Sequence, residues 1–386
     1  MSHAREIGIA IVGCGFVADY YMHTLTGYPW IRVHGVFDID RTRLARFSQF
    51  HKLHSYDDLE QLLSDNRVEI VLNLTNPRAH YGVSTRCLGA GKHVYSEKPL
   101  AMSYEEAAAL VKSAEARGLV ISSAPCSLLG PAAQTLWHAV RDQVVGPVRL
   151  VYAELEDGML HRMPYKKWVS ASGAPWPYKD EFEVGCTLEH AGYYLSWLAA
   201  MFGPVTSMTA FSECLIPDKL TDVELDPPDT PDFSVGLMKF ENGVVARLST
   251  GIAAPHNHGI RVVGEEGVLE LDDAWHANAK VYIRRHMTIR RKAFLSPLRR
   301  RYSIPNMPKS TATATGSSRM NYAAGVAELA LSVLEGRPCR LSPQFSLHIT
   351  EVSLALQNSG LSGTPYHPRS RFVPPRPMDW AIGNVG

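Results

Sequence analysis

The stretch that decides the fold is IGIAIVGCGFVA, residues 7–18. Its first six residues are apolar and partly β-branched, a pattern typical of a parallel strand buried on both faces. A glycine-rich turn ends this strand at once, and a helix is predicted from Ala18 to Gly27. A second strand over Val33–Phe37 stops at Asp38, so the chain opens with strand, turn, helix and strand.

The same alternation of short strands and helices continues to about residue 124. Further strands are predicted at 68–74, 92–95 and 119–122, and further helices at 41–50, 56–63, 78–90 and 103–117. Ser103, followed three residues later by Glu106, resembles a capping box and supports the start of the last of these helices. The alternation predicts a parallel, doubly wound sheet in a first domain of residues 1–124.

After Pro125 the segments become longer and alternate between apolar and polar residues. Strands are predicted at 148–156, 205–211, 233–240, 244–250, 261–263, 268–271 and 280–285, and helices near 321–334 and 345–357. This pattern indicates an α+β domain, residues 125–386, built on a mostly antiparallel open sheet. A tail rich in proline and glycine starts at Ser359, and we expect it to be either loose or an arm that docks on a neighbouring subunit.

Composition excludes several function classes. The chain has 386 residues, 45% of them hydrophobic, and a formal net charge of +1, so no strong field favours nucleic acid or an anionic membrane. The six cysteines lie far apart without zinc spacing, and no metal site is predicted. No apolar run reaches the roughly 18 residues needed to span a bilayer, which favours a cytoplasmic protein. The open sheet suggests a homodimer or homotetramer.

The glycine turn has the features of a dinucleotide site. Gly13 permits the tight turn, Gly15 lets the backbone approach a pyrophosphate, and the phosphate would sit on the helix N-terminus. Asp38 ends the second strand where a ribose-binding carboxylate is expected, which favours NAD. Arg41 and Arg43 lie close enough in sequence to keep NADP open.

Residues 75–77 (Thr-Asn-Pro), His80 and the stretch AGKHVYSEKPLA at 90–101 strongly resemble the Gfo/Idh/MocA oxidoreductases, which include glucose-fructose oxidoreductase and inositol dehydrogenase. The resemblance implies hydride transfer between a nicotinamide and a secondary alcohol or ketone of a sugar, cyclitol or sugar derivative. It also implies that Lys98 acts at the reacting centre. The cofactor-binding residues are then predicted to be Gly13, Gly15, Phe16, Val17, Asp38, Thr75, Asn76, His80, Glu97 and Lys98.

A second motif, GCTLEHAGY at 185–193, departs from the family pattern. The family usually carries an aspartate followed four residues later by a catalytic histidine, and this chain holds Glu189 and Tyr193 there. A spacing of four places the two side by side on a helix predicted over 188–202. Tyr193 would need a pKa lowered by Lys98 to act as a base, and His190 is the rival. Lys98, Tyr193, His190 and Glu189 are the catalytic candidates, although Glu189 and Tyr193 could instead form a buried structural pair.

Two charged segments are harder to interpret. The stretch 156–183 is predicted to be irregular and rich in aromatic and charged residues, which suits either a sugar site or an interface loop. The substrate-binding candidates are Lys98, Arg162, Lys166, Trp176, His190 and Tyr193. A basic run could grip phosphorylated or nucleotide-linked sugars or an acidic polymer, or be a solvated loop. It comprises Arg284, Arg285, Arg290, Arg291, Lys292, Arg299, Arg300 and Arg301.

Three functions compete at this point. The leading hypothesis is an NAD(P)-dependent dehydrogenase or ketoreductase of a sugar-like alcohol. The second is an NAD-dependent glycosidase that oxidises carbon 3 of the sugar transiently and eliminates the aglycone. The third is a non-catalytic, cofactor-sensing regulatory protein, suggested by the absent family histidine, against which the Glu97-Lys98-Pro99 turn argues.

Overall fold

The computed structural model describes residues 5–305, 307, 320–358 and 364–382. Within these residues the first sheet has five parallel strands in the order β2-β1-β3-β4-β5. They are β1 (Ile7–Val12), β2 (Ile31–Phe37), β3 (Ile70–Asn73), β4 (His93–Ser96) and β5 (Ile121–Ser123). The helices are α1 (Ala18–Leu25), α2 (Arg41–His51), α3 (Leu59–Ser64), α4 (His80–Gly89) and α5 (Tyr104–Ala116). This is the predicted doubly wound sheet, and strand order reverses beside β1.

Local sequence signals explain where these elements begin. Every residue of β1 is buried, as expected of a strand covered by helices on both faces. Asp40 caps α2 by accepting from Thr42 N and Arg43 N. Ser103 caps α5 by accepting from Glu106 N at 3.2 Å, so the predicted helix start is confirmed.

The second sheet follows from residue 148 onward. In the described part of the chain it has nine strands, ordered β13-β12-β11-β10-β6-β9-β8-β7, with β14 also paired to β12. The strands are β6 (Val148–Glu156), β7 (Val205–Glu213), β8 (Phe233–Phe240), β9 (Val245–Gly251), β10 (Ile260–Gly264), β11 (Gly267–Leu271), β12 (Val281–Ile289), β13 (Lys292–Leu295) and β14 (Arg300–Tyr302). Neighbouring strands are antiparallel apart from the β6–β9 pair, so the predicted fold class is confirmed.

Five helices accompany this sheet within the described residues: α6 (Pro131–Arg141), α7 (Tyr178–Val184), α8 (Cys186–Phe202), α9 (Ala323–Glu335) and α10 (Pro343–Asn358). Helix α8 is buried along almost its whole length, and α10 packs against α8 as well as against α5 of the first sheet. The two sheets are therefore joined through a shared layer of helices. None of the described helices is long and apolar enough to cross a membrane.

Two sequence expectations were wrong about local structure. The stretch 156–183 is not irregular throughout, because α7 begins at Tyr178. The basic run is not one loop, since Arg284 and Arg285 lie in β12, Lys292 in β13, and Arg300 and Arg301 in β14. Most of the run is exposed all the same: Val281 and Ile283 at the start of β12 are buried, whereas the strand is exposed from Arg285 onward.

The described part of the C-terminal tail, residues 364–382, lies on its own chain. Tyr366 exchanges two backbone hydrogen bonds with Met208 on β7, at 2.7 and 2.8 Å. Met378 N donates to Gln134 Oε1 on α6 at 2.9 Å. The expectation of a loose tail or an arm on a neighbouring subunit is therefore wrong for these residues, because the edge strand β7 offers backbone groups that the tail satisfies.

The corner that follows β4 is supported from behind by α9. Tyr95 is fully buried, and a Cβ at Gly325 on α9 would lie 2.2 Å from Tyr95 Oη. Because Tyr95 lies just before Ser96, Glu97 and Lys98, the absence of a side chain at Gly325 allows α9 to hold this corner closely.

We expect Gly325→Ala to lower the free energy of unfolding by about 1–3 kcal/mol, because the added methyl overpacks a buried ring. Urea titration followed by circular dichroism measures the change. Gly82→Ala is the matched control: a Cβ at Gly82 meets nothing within 4 Å on α4, so stability should rise by up to about 1 kcal/mol. Equal stability of the two variants would contradict this view of the α9 contact.

Candidate active site

A cavity of about 570 Å³ lies between the carboxyl ends of the first sheet's strands and the second sheet's helices. All ten predicted cofactor-binding residues line it: Gly13, Gly15, Phe16, Val17, Asp38, Thr75, Asn76, His80, Glu97 and Lys98. The opposite wall includes Trp176, Glu181, Glu189, His190, Tyr193, Trp275 and Tyr322. A crevice at the carboxyl ends of strands, where strand order reverses, is the usual ligand position in such folds.

The glycine turn has the geometry that a close-approaching ligand needs. Gly13 has a φ of +99°, and a Cβ there would lie 2.5 Å from Leu74 O, so a larger residue is excluded. Gly15 has nothing within 4 Å of the position its Cβ would take, and it faces the cavity. The residues present therefore fit a pyrophosphate over this turn.

Asp38 is buried at the end of β2, and its carboxylate is held in place. It accepts from Cys14 N and Asp40 N, each at 2.8 Å. Arg43 donates to both of its oxygens, from Nε at 2.8 Å and from Nη2 at 3.0 Å. The carboxylate and the guanidinium both line the cavity. A negative and a positive charge therefore lie side by side at the predicted ribose position.

Hydrogen bonds position the corner that carries Lys98. The two ring nitrogens of His80 lie 2.7 Å from Pro99 O and 3.0 Å from Thr75 O. Glu97 accepts from Tyr21 Oη at 2.7 Å and from Lys98 N at 3.0 Å. The imidazole of His80 thus links the loop after β3 to the corner after β4, which is a positioning role.

The Lys98 ammonium forms a buried ion pair with the Glu189 carboxylate of α8. Burial works against the charged lysine, but Glu189, Glu97 and Glu181 outweigh it and hold the pKa of Lys98 above its usual value. Burial also raises the pKa of Glu189 to about 7, with Lys98 opposing and Glu181 adding to the shift. The surrounding carboxylates therefore favour the ammonium form of Lys98.

His190 lies between two carboxylates. Its Nδ1 is 3.1 Å from Asp157 Oδ2, and its Nε2 is 3.1 Å from Glu181 Oε1. Burial disfavours the imidazolium, yet Asp157 and Glu181 together raise the pKa of His190. Asp157 was not among the sequence-predicted site residues, and it follows directly after β6, so it reaches His190 only through the tertiary fold.

Tyr193 lies elsewhere on α8, against an aromatic wall. Its ring is 4.4 Å from the Trp275 ring, measured between centroids. Burial, followed by the nearby Tyr322 and Glu97, raises the pKa of Tyr193 well above its usual value. The lowering by Lys98 that base catalysis would need is therefore not found, because Lys98 pairs with Glu189 instead.

Two consecutive family models match the chain. Residues 7–124 match the oxidoreductase family with an NAD-binding Rossmann fold, and residues 133–270 match the Gfo/Idh/MocA C-terminal domain. The chain belongs to the Gfo/Idh/MocA family. It is accordingly an NAD(P)-dependent oxidoreductase, and the resemblance stated from the sequence is confirmed.

Individual relatives agree with this assignment. Trans-1,2-dihydrobenzene-1,2-diol dehydrogenase of Bos taurus is 25% identical over 69% of this chain and 74% of its own length. Inositol 2-dehydrogenase/D-chiro-inositol 3-dehydrogenase of Lactiplantibacillus plantarum is 31% identical over 31% of this chain and 35% of its own. The crystal structure of aldose-aldose oxidoreductase from Caulobacter crescentus, with glycerol, superposes at a TM-score of 0.73 with 19% identity, covering 94% of this chain and all of that one. The last likeness shows the fold.

Within this Gfo/Idh/MocA cavity, the predicted substrate residues separate into two groups. Lys98, Trp176, His190 and Tyr193 line it. Arg162 is exposed and Lys166 lies 3.7 Å from Asp222 on the surface, and neither lines the cavity. Their selection is corrected, because the residues of this stretch that line the cavity lie between Ala174 and Glu181 and include Trp176, Asp180 and Glu181.

Sequence reasoning also missed the cavity residues Trp275 and Tyr322. Trp275 lies in the connection after β11, and Tyr322 immediately precedes α9. Both are far from any motif. The only signal in the sequence is that each is an aromatic residue near the boundary of a predicted element.

We expect Asp38→Asn to shift the cofactor preference of this Gfo/Idh/MocA enzyme toward NADP. The amide keeps the acceptor for Cys14 N, removes the negative charge beside the ribose, and leaves Arg43 able to meet a phosphate. The ratio of the dissociation constants for NADP and NAD should fall about tenfold, roughly 1.4 kcal/mol, in a fluorescence titration. Asp40→Asn is the control, since it removes a charge two residues away while keeping the helix cap. An equal shift in both variants would exclude Asp38 as the selecting group.

Proposed function

We propose that the chain is an NAD-dependent dehydrogenase that transfers hydride between the nicotinamide and a secondary alcohol of a sugar, cyclitol or related polyol. The observation that carries this proposal is the convergence of Lys98, Glu189 and His190 on the cavity that the glycine turn opens into. The relatives named above, which are a diol dehydrogenase, an inositol dehydrogenase and an aldose-aldose oxidoreductase, support the substrate class.

The cofactor would be held by the residues that line the first sheet's side of the cavity. Gly13 and Gly15 leave room for the pyrophosphate, Asp38 can accept from ribose hydroxyls, and Thr75 and Asn76 flank the path toward Lys98. When bound, the nicotinamide supplies the hydride acceptor or donor. Glu97, held by Tyr21, keeps the corner at this end of the path in place.

Lys98 is suited to the developing charge on the reacting oxygen. Its ammonium form is favoured by the surrounding carboxylates, reaches the cavity from a hydrogen-bonded corner, and pairs with Glu189. A fixed cation in a water-poor cavity stabilises an alkoxide-like oxygen more strongly than one in water does. Glu189 occupies the position at which the family usually carries aspartate, and its carboxylate pairs with the ammonium group of Lys98.

His190 is the better candidate for moving the proton. Its ring lines the cavity. Asp157 lies beside the Nδ1 atom of the ring, and Glu181 lies beside the Nε2 atom. Carboxylates beside an imidazole stabilise its protonated form, which suits a histidine that takes up a proton from the reacting alcohol. Tyr193 provides an apolar face through its contact with Trp275.

The remaining lining suits a polyol. Trp176, Trp275 and Tyr322 offer aromatic faces, and Asp180 and Glu181 offer carboxylate oxygens that accept from hydroxyls. An apolar face combined with acceptor groups is the pairing that a sugar or cyclitol ring requires.

The Lys98→Met variant should lose turnover and still bind NAD. The thioether keeps the length of the side chain but cannot stabilise the charged oxygen, so kcat should fall by about 10²- to 10³-fold. A panel of polyols and sugars assayed for NADH formation, with NAD affinity measured separately, tests this. Lys112→Met, an exposed change on α5, is the control. Unchanged turnover in Lys98→Met would remove Lys98 from the mechanism.

Replacing the two proton-transfer candidates should separate them. His190→Asn should lower kcat by about 10²- to 10⁴-fold with the fold intact, whereas Tyr193→Phe should keep kcat within about tenfold and change KM. Both variants are assayed on the same substrate under steady-state conditions, which give kcat and KM separately. The opposite ranking would assign the proton transfer to Tyr193.

A further inference from the structure

A cluster of metal-ligating side chains lies beside the cavity, and the reaction described above uses only one of its members, Asp157. Asp157, His256 and His258, hereafter the His-Asp cluster, place one donor atom each within 4.8 Å of one another. Asp157 and His258 do not line the cavity, but each contacts a residue that does: Asp157 lies 3.1 Å from His190, and the His258 ring lies 5.5 Å from the Trp275 ring.

The backbone fixes the geometry of the His-Asp cluster. Glu156 and Asn257 exchange two backbone hydrogen bonds of 2.9 Å, which pair the end of β6 with the loop before β10. Side chains alternate along an extended segment, so the residues on either side of Asn257 project to the same face, toward Asp157. The ligands are thus brought together by strand pairing and do not depend on a mobile loop.

The donor atoms are close enough to share one ion. Asp157 Oδ1 lies 2.8 Å from His258 Nε2, and the rings of His256 and His258 lie 4.0 Å apart between centroids. Bonds of about 2.0–2.2 Å to nitrogen and oxygen require ligand atoms roughly 3 Å apart. A proton on His258 currently makes the contact that an ion would replace.

A further carboxylate lies next to the His-Asp cluster, in the position from which carboxylates support metal-bound histidines. His258 Nδ1, on the far side of the ring, faces Asp273 Oδ1 at 3.5 Å, and His258 is buried to 3% exposure. A carboxylate on the second ring nitrogen orients a metal-bound histidine and fixes its tautomer. His256 is exposed, which gives an ion a route from solvent.

We propose that Asp157, His256 and His258 bind one divalent transition-metal ion of the zinc class. Two imidazole nitrogens and one carboxylate oxygen suit zinc, cobalt, nickel or manganese better than magnesium or calcium, which prefer all-oxygen sites. Water completes the coordination from the side of His256. The other oxygen of Asp157 lies 3.1 Å from His190 Nδ1, so the ion would hold the carboxylate that orients His190. This last consequence rests on the proposed function, whereas the binding itself does not.

The experiment uses the full chain without a histidine tag, stripped with a chelator and freed of it by gel filtration. Zn²⁺ and Co²⁺ are added, bound metal is measured by mass spectrometry, and Co²⁺ is also followed by its visible absorption. We expect one equivalent per chain, with the absorption of cobalt bound to nitrogen and oxygen ligands. No stoichiometric binding of either ion overturns the proposal.

Variants assign the ligands. His256→Ala changes an exposed side chain and should weaken Co²⁺ binding by about 100-fold or more, and Asp273→Asn should weaken it roughly 10- to 100-fold through the second nitrogen of His258. His286→Ala, an exposed histidine on β12, should leave it unchanged. Unfolding curves and NAD affinity confirm that each variant is folded. Equal losses in His256→Ala and His286→Ala, or none in His256→Ala, refute the assigned ligands.

This result is independent of the catalytic assignment. If Lys98→Met keeps its turnover, the proposed reaction fails while the Co²⁺ titration is unaffected. If the titration fails while Lys98→Met and His190→Asn are inactive, the reaction stands and the metal site falls.

Discussion

The buried ion pair between Lys98 and Glu189 is the contact on which the rest of the site depends. It joins a corner of the first sheet to helix α8 of the second unit, across the cavity. Removing both charges from water is costly, and either one left alone would be strongly destabilising. The corner and α8 must therefore lie close enough for the two side chains to meet. The combined length of the lysine and glutamate side chains then sets the width of the cavity at this point.

This constraint also explains why the family pattern could change on α8. The first requirement at position 189 is a carboxylate for Lys98, and glutamate meets it as aspartate would. The second requirement is a group that moves a proton, and this need not remain four residues later if another element orients an imidazole nearby. Asp157, after β6, lies 3.1 Å from the Nδ1 atom of His190. The departure at Tyr193 is therefore compatible with an active enzyme of the same family.

The sequence predicted best those features of the site whose residues lie close together along the chain. The strand before Gly13, the turn itself and the acidic residue ending β2 lie within one short segment, and their spacing alone predicts the cofactor side of the cavity. The resemblance around Lys98 indicated the corner after β4, which lines the same cavity. Asp157 reaches His190 only because β6 and α8 are neighbours in space, and no periodicity encodes that distance. The pKa of Tyr193 likewise depends on burial against Trp275, a residue more than 80 positions away.

The charged residues of the cavity were the feature that local sequence patterns predicted least well. Arg162 and Lys166 appeared suited to an acidic sugar, yet the residues of that stretch that line the cavity include Trp176, Asp180 and Glu181 and neither of the two cations. Around Lys98 the carboxylates of Glu97, Glu181 and Glu189 favour the ammonium form of the lysine. The lysine thus obtains its partners from the corner itself, from α7 and from α8, and the last two are distant in sequence. A local run of basic residues says nothing about which charges the tertiary fold turns inward, and Arg162 and Lys166 therefore no longer support an acidic sugar as the substrate.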